Sequence, residues 1–115
     1  MKRIILLAFL CTTTLVMAQR INHVQEAIAN YDYEAALTLI AKEKPTIPLL
    51  LQKGKAQRGL GMNTEALSTY QEIIANDTAN TRAYIEAAEC CRSLAKYQQA
   101  LKYYEQAVSY THLTL

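Results

Sequence analysis

The chain repeats part of itself at a fixed spacing. The stretch Ala66–Ile73 returns as Ala100–Ala107, and an alanine, a leucine and a tyrosine occupy the same places in both. These matching places are the first, second and fifth of the stretch, which lie on one side of a helix. A fixed period of about 34 residues is typical of stacked helical repeats, so it constrains the fold before any local pattern does.

The segment Met1–Ala18 has the pattern of a secretory leader. Lys2 and Arg3 give a positive start, Ile4–Leu10 is apolar, and Val16–Ala18 offers small residues ahead of a cleavage point at Gln19. A membrane anchor is the alternative, but a helix needs about 20 apolar residues to cross a bilayer and this run is shorter. The leader therefore predicts an exported protein, periplasmic or outer-membrane-associated, with no membrane span after cleavage.

Removal of the leader changes the charge of the chain. Of 12 basic residues, Lys2 and Arg3 leave with the leader, whereas all 10 acidic residues lie after it. The remaining chain is neutral in formal charge. It lacks the basic excess that binding to nucleic acid requires, so no nucleic-acid partner is predicted.

Cys90 and Cys91 are the cysteines left once the leader, with Cys11, is removed. Neighbouring side chains on a helix point about 100° apart, which disfavours a disulfide between them. Burial as small packing residues is one interpretation, and pairing with another chain in an oxidising compartment is the other. His23 and His112 are remote in sequence, so neither a metal nor a cofactor is predicted.

From Ile21 onward the pattern predicts six helices, and a chain of 115 residues forms at most one domain. Pro45 and Pro48 interrupt the helical pattern, and Gly61 suits a left-handed helix end. Asn63 or Thr64 can cap the fourth helix and Thr81 the fifth. The helices after the first are predicted at Glu34–Lys42, Leu49–Leu60, Glu65–Ala75, Thr81–Leu94 and Gln98–Ala107.

These six helices make three pairs, at about 20–47, 48–80 and 81–107 within a repeat domain over residues 19–107. The last two pairs resemble tetratricopeptide repeats. The residues that match the motif, in order along its unit, are Gly54 and Ala88, Gly61 and Ala95, Ala66 and Ala100, Tyr70 and Tyr104, and Ile73 and Ala107. The first pair matches through Tyr33 and Ala36, although Ala36 precedes Ala66 by less than the full period. Tyr84 opens the last unit where Leu50 opens the one before, and Thr78 replaces a closing proline.

The resemblance implies an all-α fold, a right-handed solenoid of about three antiparallel helix pairs. It also implies that Tyr104 is a core aromatic, and that the first helix of each pair lines a concave groove. The groove positions implied by this register are Leu51, Lys55, Arg58, Arg82, Ile85, Glu89 and Arg92. Four of these are basic, two apolar and one acidic, which suits a peptide with some acidic character. A solvated face without a ligand is the alternative.

Val108–Leu115 departs from the repeat pattern and shows no helical stripe. One set of codons for these residues coincides with the transposon-end and adapter DNA that is used to fragment genomes for sequencing. We therefore expect residues 108–115 to be adapter-encoded, His112 to have no function, and the natural protein to continue beyond Ala107. A native frayed tail is the alternative.

No catalytic constellation is present in the sequence. Gly54, Gly59 and Gly61 are placed at helix crossings and turns, so they form no phosphate-binding loop, and no enzyme activity is predicted. The predicted function is that of a scaffold that binds a protein or peptide partner. The alternative is a structural or docking arm of a longer protein with a catalytic domain downstream.

We expect the leader to be removed on export. Mass spectrometry of the protein from a double-membraned bacterium should give a chain that begins at Gln19, because cleavage follows the small residue at Ala18. A mature chain that keeps Met1–Ala18 would instead identify an uncleaved anchor.

Overall fold

The structure, a computed structural model, describes the backbone of residues 2–114 and the side chains of residues 12, 14–16 and 18–111. The side chains of Cys11 and His112, which the sequence analysis considers, lie outside this described part. Within it the chain is helical with no strand, and the helices are α1 Lys2–Ala29, α2 Tyr33–Ala41, α3 Ile47–Gly59, α4 Asn63–Asn76, α5 Thr81–Ser93 and α6 Tyr97–Thr114. Packed in order as antiparallel pairs, they form the predicted all-α, tetratricopeptide-like solenoid.

The first helix is longer than the sequence predicts. It begins at Lys2 and not near Ile21, because no proline or glycine interrupts the chain before Ala29. Among its described side chains, Ile21 lies against the core cluster of the first pair, which includes Val24, Ile28 and Ala36. Farther back, Leu15 is 62% exposed. The segment predicted to be a leader and the first repeat therefore share one helix, and the core residues described on that helix lie from Ile21 onward.

The last helix also extends beyond its predicted end at Ala107 and runs to Thr114. The prediction that the last helix ends at Ala107 was therefore wrong. It was based on the missing apolar stripe after Val108, but that segment contains no proline or glycine to end a helix. Val108 is 54% exposed, whereas the ring of Tyr110 is partly buried and stacks on the ring of Tyr84 with their centroids 5.5 Å apart. The adapter origin of residues 108–115 remains a prediction.

The turn inside each helix pair has the same left-handed residue. This residue is Tyr31 at φ 60°, Gly61 at φ 77° and Ala95 at φ 60°. The residue that follows donates its N–H to a carbonyl five positions back: Asp32 to Ala27 at 2.8 Å, Met62 to Gln57 at 2.8 Å, and Lys96 to Cys91 at 2.7 Å. This pair of features ends a helix in the Schellman manner. The first pair therefore has the same internal turn as the other two.

Helix starts agree with the sequence in part. Pro48 lies in the first turn of α3, as predicted, after Thr46, whose hydroxyl accepts from the Leu49 amide at 3.4 Å. The cap of α5 is Asn80, which accepts from the Ala83 amide at 3.1 Å, so the prediction of Thr81 was wrong by one residue. The prediction of a side-chain cap for α4 was wrong, because this helix begins after Met62, which makes no capping bond.

Small residues allow the helices of each pair to approach closely. Ala36, Ala66 and Ala100 occupy the matching crossing positions and are 0%, 0% and 5% exposed. At Gly54 the backbone of α3 is in contact with the ring of Tyr70 on α4. A Cβ added to Gly54 would lie 2.4 Å from Cζ of that ring, which leaves no room for a methyl group.

The two described cysteines are packing residues. Cys90 and Cys91 are free thiols that are fully buried in the core cluster around Tyr70. Burial raises the pKa of Cys90 to about 11 and also raises the pKa of Cys91, so both remain protonated at neutral pH. A disulfide with another chain would require either thiol to leave the core.

Within the described part of the chain, none of the helices combines the length and the apolar character needed to cross a bilayer.

Tyr70 and Tyr104 occupy matching positions but differ in burial, since Tyr70 is 1% exposed whereas Tyr104 is only partly buried. Tyr104 packs against the core cluster, as expected of a core aromatic, but it is less deeply buried than Tyr70. Tyr70→Ala should lower the free energy of unfolding by about 3–5 kcal/mol, as loss of a fully buried aromatic ring does. Urea denaturation measures this loss, and Tyr104→Ala should cost clearly less.

The control for this pair is Tyr97→Ala, because Tyr97 is 67% exposed and should change stability by no more than about 0.5 kcal/mol. Equal losses for Tyr70→Ala and Tyr97→Ala would contradict the packing described here.

Candidate functional site

A pocket of about 380 Å³ lies between α3 and α5, the first helices of the second and third pairs. Its lining consists of Leu51, Gln52, Lys55, Arg58, Tyr70, Arg82 and Glu86. A second depression, beside α1, shares Gln52 and Lys55 with it and continues to Gln25 and Tyr33. We call the surface formed by these two adjoining depressions and the neighbouring face of α5 the groove.

The predicted groove residues divide into two sets. Leu51, Lys55, Arg58 and Arg82 line the pocket. The other predicted residues belong to α5 but do not line it: Ile85, Glu89 and Arg92. Sequence reasoning missed three lining residues, namely Gln52, Tyr70 and Glu86.

Of these missed residues, Glu86 offered a sequence signal, because it follows Arg82 by four positions on the same helix. Tyr70 could not have been found in this way, since it belongs to the second helix of its pair and the predicted groove consists of first-helix residues. The glycine at position 54 removes the side chain that would otherwise separate Tyr70 from the groove face of α3.

Glu86 pairs with two arginines across the pocket. Its carboxylate accepts from the Arg58 guanidinium of α3, and its Oε1 lies 3.1 Å from Nε of Arg82 on α5. The side chain of Glu86 is only 17% exposed and that of Arg58 30%. Burial alone would lower the pKa of Arg58, but the charge and the hydrogen bond of Glu86 outweigh it, so the pKa is raised. This interaction joins the second pair to the third.

Glu89 makes a second cluster one turn farther along α5. Its Oε2 accepts from Nη2 of Arg92 at 2.6 Å and from Nε at 3.2 Å, and its Oε1 accepts from the Tyr104 hydroxyl. The Tyr104 hydrogen bond first, and Arg92 second, lower the pKa of Glu89. Glu89 is therefore ionised and internally partnered at neutral pH.

These pairs change the charge that the groove presents. Three of the four predicted basic residues are bonded to glutamates of α5: Arg58 and Arg82 to Glu86, and Arg92 to Glu89. Lys55 is exposed, and its side chain makes no ion pair or hydrogen bond with the described residues. Lys55 is thus the unpartnered cation of the pocket lining. Arg58 and Arg82 together carry one more positive charge than the single carboxylate of Glu86 that they share.

The described residues contain no group of three or more His, Cys, Asp or Glu side chains arranged to hold a metal ion. The pocket lining consists of cations, one paired glutamate, an amide, a leucine and a tyrosine. This arrangement can position charge and apolar surface against a ligand. It contains no paired base and nucleophile of the kind that covalent catalysis uses.

The Glu89 cluster should make stability depend on pH. Because the pKa of Glu89 is lower in the folded chain than its ordinary value of 4.5, its contribution is present above that value. It is lost as pH falls through the lower, folded value. Glu89→Gln should therefore flatten the loss of stability below the ordinary value, measured by urea midpoints across an acid pH series.

Glu105→Gln is the matched control, since Glu105 is exposed on α6 and its side chain makes no bond with the described residues. A pH slope that is unchanged by Glu89→Gln, or equally changed by both substitutions, would contradict the role of the cluster.

No protein-family profile and no curated protein matches this sequence. Two solved structures have a similar fold. The crystal structure of PcrH in complex with the chaperone binding region of PopB matches with a TM-score of 0.80 and 18% identity, over 85% of this chain and 82% of that chain. MamA MSR-1 C2 matches with a TM-score of 0.74 and 16% identity, over 80% of this chain and 55% of that chain. At these identities the likeness extends to the fold, which is that of a tetratricopeptide-like helical solenoid.

Proposed function

We propose that the chain is a protein-interaction scaffold that binds a segment of a partner polypeptide in the groove and performs no chemistry of its own. The observation that carries this proposal is the pocket between α3 and α5, which combines apolar and charged lining on a rigid helical frame. The proposal is also supported by PcrH, a protein of similar fold that was crystallised in complex with the chaperone binding region of PopB.

The groove has the features that a polypeptide segment needs. Leu51, which is partly buried in the pocket, and Ile85, which is 38% exposed on α5, offer apolar contact. The charged residues around them fix position more than they add affinity, because rim charges act mainly on orientation and association rate. A small number of buried apolar contacts supplies most of the affinity in such interfaces.

The proposed place of this binding is the periplasm or the outer membrane. It is supported by residues 1–18, whose pattern is that of a secretory leader. Partners are then sought among exported proteins.

Selection from a random peptide library displayed on phage, against the protein without its leader, tests the proposed function. Leu51→Arg places a charge in the pocket. It should lower the affinity for a selected peptide by about tenfold or more, because one apolar contact is lost. Isothermal titration calorimetry measures the change.

Leu101→Arg is the matched control, since Leu101 lies on α6 outside the groove and is 55% exposed. Its affinity should equal that of the unaltered protein. Peptides that bind equally well to the Leu51→Arg variant and to the unaltered protein, or whose binding is lost with Leu101→Arg alone, would contradict binding in the groove.

A further inference from the structure

The hydroxyl of Tyr70 lies in the pocket lining without a hydrogen-bond partner among the described residues. The residue is 1% exposed and lines the pocket, and its hydroxyl makes no hydrogen bond with the described residues. No fully enclosed side-chain nitrogen or oxygen of the described chain lacks a partner, so this hydroxyl reaches the pocket opening. Burial raises the pKa of Tyr70, and the group is a protonated donor at neutral pH. It can donate to a group that enters the pocket.

The third helix pair shows what a tyrosine hydroxyl at this position binds. Tyr104, one period after Tyr70, donates to the Glu89 carboxylate, which also accepts from Arg92. Counting back one period from Glu89 and Arg92 leads to Lys55 and Arg58. The second pair thus keeps the tyrosine and the arginine of this cluster but has a lysine in place of the carboxylate.

The charges around Tyr70 favour an anion at the corresponding position. Lys55 makes no ion pair with the described residues, and Arg58 shares Glu86 with Arg82. The charge of Glu86 also acts on Tyr70 and adds to the rise of its pKa, but Glu86 makes no hydrogen bond with that hydroxyl. Its carboxylate is bonded to Arg58 and Arg82, so it does not fill the position that corresponds to Glu89. In a partly enclosed site, hydrogen bonds from charged donors to a carboxylate are about twice as strong as neutral ones.

We infer that the pocket binds the carboxylate of an acidic side chain of the bound polypeptide, with the Tyr70 hydroxyl donating to it and Lys55 as its counter-ion. This inference rests on the proposed function, since it names the residue type that the groove selects. It assigns the side chain of an aspartate or glutamate in the segment that lies in the groove. The pocket adjoins the depression beside α1 through Gln52 and Lys55, so a bound segment can extend from it in that direction. A chain terminus is the alternative occupant, and the last experiment tests it.

The direct test uses the protein without its leader, with its tyrosine rings labelled with ¹³C at the ε positions. The probe is N-acetyl-glutamate N-methylamide, which carries one carboxylate, and its neutral counterpart is N-acetyl-glutamine N-methylamide. We expect a saturable shift of the Tyr70 resonance with the acid and about tenfold weaker binding of the amide. No saturable shift at Tyr70, or equal binding of the two probes, would overturn the inference.

A carboxylate introduced into the chain itself should occupy the proposed site and block it. Lys55→Glu places a carboxylate at the position that Glu89 has in the third pair. We expect it to weaken binding of the acid by about tenfold or more. Lys53→Glu is the matched control, because it makes the same charge change on the same helix but borders a different cleft, with Leu37 and Ile40. If both substitutions weaken binding of the acidic probe equally, the effect comes from the overall charge of the protein, and the assignment of the site to Tyr70 is wrong.

Tyr70→Phe removes the hydroxyl and keeps the ring, and its binding can be followed at the Nε–H resonance of Arg58. A loss of affinity for the acid, with the amide unaffected, is the expected result. Tyr104→Phe should leave binding unchanged, since that hydroxyl already has an internal partner. Unaltered binding in Tyr70→Phe would exclude the hydroxyl from the site.

Two further arms separate the alternatives. If N-acetyl-alanine, which ends in a free carboxylate, binds at Tyr70 more tightly than the glutamate probe, the occupant is a chain terminus and the inference of a side chain falls. If the phage library yields groove-binding peptides without an acidic residue, the proposed function stands and the inference falls. If the library yields no peptide while the glutamate probe still binds, the carboxylate site stands and the proposed function falls.

Discussion

The contact between the Tyr70 ring and the bare backbone at Gly54 is the constraint on which the rest of the structure depends. It sets how closely α4 approaches α3, since any side chain at position 54 would overlap the ring. The ring thereby becomes part of the main core and also reaches the groove face. In the third pair Ala88 stands at the glycine position, and Tyr104 is only partly buried there. The two pairs therefore differ by the methyl group of Ala88, and the tyrosine that faces alanine is less deeply buried than the tyrosine that faces glycine.

The groove is less basic than its residue types suggest because α5 carries its own acids. Glu86 and Glu89 lie one turn apart, and each accepts from arginine. The Glu86 pair with Arg58 spans two repeats, so it also fixes how the second and third pairs are stacked. Partly buried charges in such pairs favour a defined arrangement more than they add stability. The consequence for binding is that a ligand meets one unpartnered cation, Lys55, within a largely neutralised surface.

Much of the fold could be predicted because the packing positions repeat. Ala66 and Ala100 were placed correctly by the period alone, since a crossing point that needs a small residue recurs once per unit. Helix ends were predicted less well. The sequence between Lys2 and Ala29 contains no breaker, and a pattern of apolar residues cannot show that a helix continues past its packed part. The interaction between Arg58 and Glu86 could not be predicted, because it depends on the rotation of α3 relative to α5.

Comparison of one repeat with the next distinguishes packing from binding more sharply than either repeat alone. Positions that pack, such as Ala66 and Ala100, keep the same residue because the core tolerates little change in volume. Position 55 and its counterpart 89 differ completely, from lysine to glutamate, although the tyrosine and arginine around them are retained. In the third pair this carboxylate satisfies its neighbours, and the surface there is self-contained. In the second pair Arg58 is paired with Glu86 instead, and the Tyr70 hydroxyl and Lys55 are left without an internal partner among the described residues. Those two groups are the ones to which a negative group of a ligand would bind.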